Sequence, residues 1–323
     1  MNTIGVYTLT TTAAGYKADL VRAFARGVGR SANDKWRADL VPDDQVKNGY
    51  SHVFCFNFQR TMPAKENRTG LILRRRLIER YEPEGKIWYF DSNILGTYEK
   101  KRQDIKGSFV RIAYGKVYPN ETNYLNDNPK SEKWDYMKRE CDIEIKPYKR
   151  KGDKIYISCN RGSGGYSGHG VNAAEWAIET AQKLRQHTDR PIVVRTHSGM
   201  GHPTAAEDIK KLYEAKNHIN NFDIHSPSNN YPDLVQEVKD SYAVVVFTSS
   251  SGAPAIIEGK PLFVTHPTGY LTPMNAGELS DIENPNLDLD RDKFLHGLGE
   301  SHWTLEQIEK GDYFKKFIER QND

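Results

Sequence analysis

No apolar run in the chain approaches the ~20 residues that span a bilayer, so neither a transmembrane helix nor a membrane partner is expected. The opening residues, Met1-Asn2-Thr3-Ile4-Gly5-Val6, lack the basic and apolar regions of a secretory leader, which predicts a cytoplasmic protein. Cysteine is scarce. Cys55, Cys141 and Cys159 are too few and too scattered for a disulfide framework, and Cys55 and Cys159 lie in apolar runs where Cys behaves as a small core residue. The compartment is therefore expected to be reducing. Net charge is nearly absent too: 46 basic against 43 acidic residues leave +3, which does not announce a nucleic-acid binder.

Metal and hydrolase signatures are missing as well. There is no His-Glu-x-x-His, no Cys-x-x-Cys and no His-x-His, and His169, His197, His202, His225 and His266 are scattered. No metal ligands are assigned. Asp-x-Asp occurs only as Asp288-Leu289-Asp290 and Asp290-Arg291-Asp292, in an acidic loop away from the strand ends. No Gly-x-Ser-x-Gly elbow follows a strand, which argues against a serine hydrolase of that kind.

What is present alternates. Apolar strand-like runs at 3–9, 52–58, 86–91 and 109–114 are interleaved with helical periodicity at 16–27 and 69–81. Residues 117–150 are polar, rich in Asn, Lys and Pro, and show no clear period; they read as a long connection. A second series follows, with strands at 154–159, 191–195 and 221–225, helices at 172–186, 208–215 and 231–239, and then a βαβ unit over 243–268. The tail, 304–320, reads as one helix. Strands alternating with helices imply parallel sheets covered on both sides. The expected fold class is α/β, with two Rossmann-like domains facing a cleft: an acceptor-side domain at 1–150 and a nucleotide-sugar domain at 151–300. Residues 301–323 are a C-terminal helix packing back on the first domain.

The βαβ unit is the most pointed feature. Between its strands, Thr248, Ser249, Ser250, Ser251 and Gly252 sit where the first N–H groups of a helix point, a setting that suits a diphosphate. Glu258, late in that helix, either accepts from ribose hydroxyls or is a solvated acid. The loop Arg161-Gly162-Ser163-Gly164-Gly165-Tyr166-Ser167 follows a strand and precedes a helix, where α/β sheets bind ligands. It lacks both the dinucleotide spacing and the Gly-Lys-Ser/Thr ending, so it is either a phosphate loop or a flexible turn. Arg195 and His197 end the next strand, and His225, Ser226 and Ser228 the one after. Three successive polar strand ends argue for a site more strongly than any one of them.

In the first half, Asp91 closes a strand, where it either deprotonates an acceptor hydroxyl or caps the next helix. Thr11, Thr12, Gln59 and Arg60 follow other strands and either contact an acceptor or form polar turns. Arg74-Arg75-Arg76, Lys100-Lys101-Arg102 and the cations of 146–154 are either solvated faces or patches that attract a polyanion.

Gly164-Gly165-Tyr166-Ser167, Thr188-Asp189-Arg190-Pro191-Ile192-Val193-Val194-Arg195 and Ser249-Ser250-Ser251-Gly252 resemble motifs of phage proteins without an assigned activity. So do Leu279-Ser280-Asp281-Ile282-Glu283-Asn284-Pro285 and His302-Trp303-Thr304-Leu305-Glu306-Gln307-Ile308, which extends the likeness over roughly 150–320. The chain looks like a GT-B-type glycosyltransferase. A fainter similarity is to phage DNA β-glucosyltransferases acting on hydroxymethylcytosine. There a strand ending in Tyr-x-Phe-Thr-Asp supplies the catalytic aspartate, and Tyr89-Phe90-Asp91 resembles it. Their Gly-Gly-Ser-x-Arg-Ser phosphate loop is similar in place to 160–167, although Arg161 stands earlier.

The resemblance implies an inverting, metal-independent glycosyltransferase with Asp91 as base and a nucleotide-diphospho-sugar, a UDP-sugar, as co-substrate in place of a cofactor. Its donor contacts are Arg161 to Ser167, Arg195, His197, His225, Ser249 to Gly252 and Glu258. Its acceptor contacts are Thr11, Thr12, Gln59, Arg60, Arg74 and Arg75. The preferred acceptor is a hydroxymethylated base in double-stranded phage DNA, inside an infected host. A polysaccharide or small acceptor, a sugar-nucleotide epimerase and a non-catalytic nucleotide- or DNA-binding protein are the alternatives.

Overall fold

The computed structural model describes residues 1–8, 16–31, 34–56, 69–99, 108–115, 132–160, 170–197, 205–225, 232–267 and 269–322. The chain divides into two compact units, Met1–Met137 with His296–Asp323 and Lys138–Leu295. The first boundary thus falls near 137 rather than 150. The C-terminal segment belongs to the first unit.

The first unit contains β1 (Asn2–Tyr7), α1 (Tyr16–Arg30), β2 (Trp36–Val41), β3 (His52–Phe56), α2 (Thr69–Tyr81), β4 (Ile87–Ser92) and β5 (Phe109–Tyr114). Helix α3 (Glu132–Glu140) runs across the boundary. After the second unit come α8 (Arg291–Ser301), β11 (His302–Thr304), α9 (Leu305–Lys310) and α10 (Asp312–Asn322). The six strands are ordered β11-β5-β4-β3-β1-β2.

The sheet is mixed, not wholly parallel. β1, β2, β3 and β4 run parallel, but β5 pairs antiparallel with β4, and β11 pairs antiparallel with β5. Hydrophobic period cannot distinguish these directions, because a strand buried on both faces reads the same either way. Two further corrections concern elements. The supposed connection 117–150 contains α3, whose helical signal is weak because only Trp134 and Met137 are buried. The tail is a strand and two helices: Thr304 and Gln307 form a capping box, and Gly311 adopts φ 89° between the helices.

That tail completes the first core. Phe24 of α1 stacks on Phe54 of β3 with centroids 4.0 Å apart, and Trp303, Leu305, Ile308, Phe314 and Phe317 pack into the same cluster. α1 and the turn after α9 approach closely, since a Cβ on Gly27 would lie 2.0 Å from the Ile308 carbonyl oxygen. Only glycine fits there.

The second unit contains β6 (Lys154–Ser158), α4 (Ala173–Arg185), β7 (Ile192–Arg195), α5 (Ala205–Lys216), β8 (Phe222–His225) and α6 (Pro232–Asp240). β9 (Ser241–Val246), the short α7 (Ala253–Ile257) and β10 (Leu262–Val264) follow. Its sheet is ordered β10-β9-β6-β7-β8, and every pairing is parallel. The alternating set Ile155, Ile157, Ala243, Val245, Ile192 and Val194 packs against Trp176, Ala177, Ala181 and Leu184 of α4. Cys55, Cys141 and Cys159 are buried and are not joined in disulfides. Among the described residues, no helix is long and apolar enough to cross a membrane.

Candidate functional site

From β6 the chain moves outward through β7 to β8, then returns to β9 on the other side of β6. The β6/β9 pair is therefore a topological switch point, and the crevice beyond the carboxyl ends of such strands is where open α/β sheets bind ligands. The residues there are hydroxyl-rich. Ser158 closes β6, and its Oγ donates to Ser251 Oγ at 2.8 Å. Ser251 Oγ donates in turn to Ser249 Oγ at 2.7 Å, and Asn160 Nδ2 donates to Thr248 Oγ1 at 3.1 Å. These bonds stitch the end of β6 to the turn after β9.

The turn differs from a simple helix start. Ser249 caps a 3-10 turn, Ser250–Gly252, by accepting from Ser251 N at 3.2 Å, and α7 beyond it has only five residues. A helix this short has little macrodipole, and its leading donors are already engaged. Gly252 is not a place for a ligand to approach: a Cβ there would meet Leu262 Cδ1 at 2.8 Å and Leu271 Cδ1 at 3.0 Å, and its N–H donates to Ser249 O at 3.3 Å. Ser250 is exposed and Thr248 half-buried, so these two carry the turn's outward polarity.

A second polar group lies beside this one. In register across the sheet, Ser158 pairs with Arg195, and Arg195 with His225, so the three side chains form a row on one face. Glu237, from α6, joins two of them. Its Oε2 accepts from Arg195 Nε at 2.8 Å, and its Oε1 contacts His225 Nδ1. Tyr156, one pleat back on β6, places its hydroxyl 3.2 Å from the same His225 nitrogen. The Tyr156 phenol is held well above its ordinary pKa, first by burial and then by Glu237, so it stays a neutral hydrogen-bonding group.

Arg195 and His225 are thus brought together, but through Glu237, which the sequence reading missed. The available signal was local: Leu234 and Val238 mark the buried stripe of α6, and Glu237 sits on that stripe at helical spacing. A carboxylate there needs a partner. His197 follows β7 by two residues and is half-buried.

Glu258 is at the wrong end of the unit for its expected role. α7 runs back against the strands, and Leu262 pairs with Val244, so Glu258 lies toward the opposite edge from Ser249. Nearby Lys260 is buried and donates to the Ser241 and Lys151 carbonyls at 2.7 Å each, which marks that edge as the start of β9. Glu258 itself is buried, not solvated.

In the first unit Asp91 stands near the end of β4, partly exposed. Its Oδ2 accepts from Arg111 Nη2 at 2.9 Å, and its Oδ1 from Ser92 N at 2.7 Å. Arg111 is buried on β5, directly across from Asp91. Arg74 departs from its expected role. It is 3% exposed on the inner side of α2, where burial lowers its pKa, so it belongs to no surface patch. Arg75 is exposed and pairs with Glu79 at 2.7 Å.

Thr11, Thr12, Gln59, Arg60, Arg161, Gly162, Ser163, Gly164, Gly165, Tyr166 and Ser167 lie outside the described residues, as do Lys100 to Arg102, Ser226 and Ser228. Among the described residues no group of three or more His, Cys, Asp or Glu side chains is arranged to hold a metal ion.

No protein-family model and no curated protein matches the chain. Among solved structures, it is similar to the KpsC beta Kdo 2,7 transferase of Thermosulfurimonas dismutans, with a TM-score of 0.49 and 13% identity over 99% of this chain and 100% of that one. The beta Kdo 2,4 transferase of the same KpsC gives 0.46 and 12% over 91% and 89%. MnaA of S. aureus, solved with UDP, gives 0.33 and 11% over 100% and 98%. All three scores lie below 0.5, so the chemistry assigned below is that of this chain's own residues.

Proposed function

We propose that the chain is a glycosyltransferase whose second unit binds a nucleotide-diphospho-sugar at the β6/β9 switch point. One observation carries the reading: at the carboxyl edge of an all-parallel sheet, the Ser158–Ser251–Ser249 hydroxyl chain lies beside the in-register row Ser158, Arg195 and His225. Beside that chain, the outward hydroxyls of Thr248 and Ser250, joined by the His225 ring when it carries both protons, can donate to a leaving diphosphate and stabilise its charge without reorganising during reaction. His197 and the loop from Arg161 to Ser167 complete the proposed donor contacts.

The finer assignment is an inverting, metal-independent transfer to a hydroxymethylated DNA base, with Asp91 taking the acceptor proton. Its support is the resemblance of Tyr89-Phe90-Asp91 to the strand of DNA glucosyltransferases, together with the partial exposure of Asp91 at the end of β4. A ligand that binds only the folded state raises stability, by about 2.7 kcal/mol at a hundred times Kd. A thermal-shift panel of UDP-, GDP-, TDP- and CMP-sugars is therefore expected to yield at least one stabilising donor. Mass analysis of nucleosides from hydroxymethylated DNA incubated with that donor then reads the acceptor. The transferase reading fails if no nucleotide sugar shifts the melting temperature.

A further inference from the structure

We propose that Glu237 is a positioning residue that orients His225 toward a nucleotide phosphate, and that Arg195 holds Glu237 rather than the ligand. This deepens the donor-binding reading above and rests on it. Exposure falls steadily inward: the His225 side chain is 45% exposed, Glu237 15% and Arg195 9%. Only the outermost member of this chain of contacts is well placed to meet a solute.

The bonding order agrees. Arg195 Nε is committed to Glu237 Oε2 at 2.8 Å, which fixes one carboxylate oxygen against β7. The other oxygen, Oε1, faces His225 Nδ1. A carboxylate at one imidazole nitrogen sets the tautomer: the proton sits on Nδ1, and the ring is held edge-on. The Tyr156 hydroxyl, 3.2 Å from the same nitrogen, closes the second approach to that edge. Nε2 lies on the opposite edge of the ring, turned away from the Glu237 contact. When the ring is protonated, Nε2–H is a charge-assisted donor to phosphate oxygen.

A purely structural account has Glu237 only neutralising the buried Arg195, with His225 adjacent by chance. The two accounts differ in whether Glu237 acts through His225. Long-range 1H–15N spectra of the full-length protein are expected to show His225 as the Nδ1–H tautomer, and Glu237→Gln is expected to release that preference. In calorimetric titrations with UDP and with inorganic pyrophosphate, His225→Ala is expected to weaken binding roughly tenfold or more, the scale of one hydrogen bond to a charged group. Glu237→Gln should weaken it similarly, and the double variant no further, since coupled residues are non-additive.

An Nε2–H tautomer in the wild type overturns the proposal without needing any variant to fold. Unchanged affinity in Glu237→Gln, or additive losses in the double variant, also overturns it. Wild-type protein that shows the Nδ1–H tautomer but binds neither probe refutes the donor-site reading instead, and leaves the orientation by Glu237 standing.

Discussion

Asp91 and Arg111 stand opposite each other on antiparallel strands, with Arg111 Nη2 donating to Asp91 Oδ2 at 2.9 Å. The pair is asymmetric: the Arg111 side chain is 3% exposed and that of Asp91 23%. The buried cation anchors the carboxylate, whose outer portion reaches solvent. That geometry serves a fixed base and a structural ion pair equally well, and variants separate the two. Asp91→Asn is expected to destabilise by about 2 kcal/mol, less than the full cost of breaking a wholly buried pair. As the loss of a general base, it is also expected to lower kcat roughly 10²- to 10⁴-fold, with UDP affinity unchanged. The double variant Asp91→Asn/Arg111→Met should recover stability without recovering turnover. If turnover returns along with the melting temperature, Asp91 is a strut and not the base.

Helix α1 carries two glycines with opposite demands, two residues apart. At Gly27 an added Cβ would lie 2.0 Å from the Ile308 carbonyl oxygen, and backbone cannot swing aside as a side chain can. At Gly29 nothing lies within 4 Å. Gly27→Ala is therefore expected to cost about 3 kcal/mol through forced separation of α1 from the α9 turn. Gly29→Ala should add about 0.8 kcal/mol through helix propensity alone. Denaturant midpoints followed by tryptophan fluorescence check both, because Trp36, Trp88, Trp134 and Trp303 all belong to the first unit. Equal shifts for the two variants would contradict the close approach.

These contrasts show where the sequence could be read and where it could not. Helix α2 and strand β5 were legible to the residue, because both carry their full apolar pattern within one element. Strand β2 was not: it is an edge strand buried only at Val41, and its two charged residues, Arg37 and Asp39, pair with each other at 2.8 Å. The direction of β5 was equally hidden, since it depends on where the connection leads. The strand-end placement of Arg195 and His225 was legible because strand ends are local. Glu237 was not, because its meaning lies in contacts made 12 residues away to His225 and 42 away to Arg195. Glu258 misled for the same reason: polarity and proximity in sequence do not say which edge of the sheet a helix end reaches.

Two histidines of the first unit should govern its acid stability. His302 is fully enclosed, and burial pushes its pKa down to about 3. Its ring is wired for neutrality: Nδ1 faces the Leu298 carbonyl at 2.7 Å, while Nε2 accepts from Ile94 N at 3.2 Å. A second ring proton would oppose the Ile94 N–H. His52, buried against Trp36 and Trp88, is likewise lowered by burial, to about 4. In the unfolded chain both titrate near 6.5. Below that pH the unfolded state binds protons that the folded state refuses, so stability falls as pH drops from 6.5 toward 4 for His52 and toward 3 for His302. The slope is about 1.4 kcal/mol per pH unit for each histidine, or on the order of 2 kcal/mol each by pH 5. His302→Gln removes one of these protons from the balance while leaving a side chain that both donates and accepts. Stability plotted against pH, from denaturant unfolding between pH 7 and 5, is expected to lose about one proton's worth of slope in that variant. Parallel curves for wild type and His302→Gln would show that His302 is already charged within the fold.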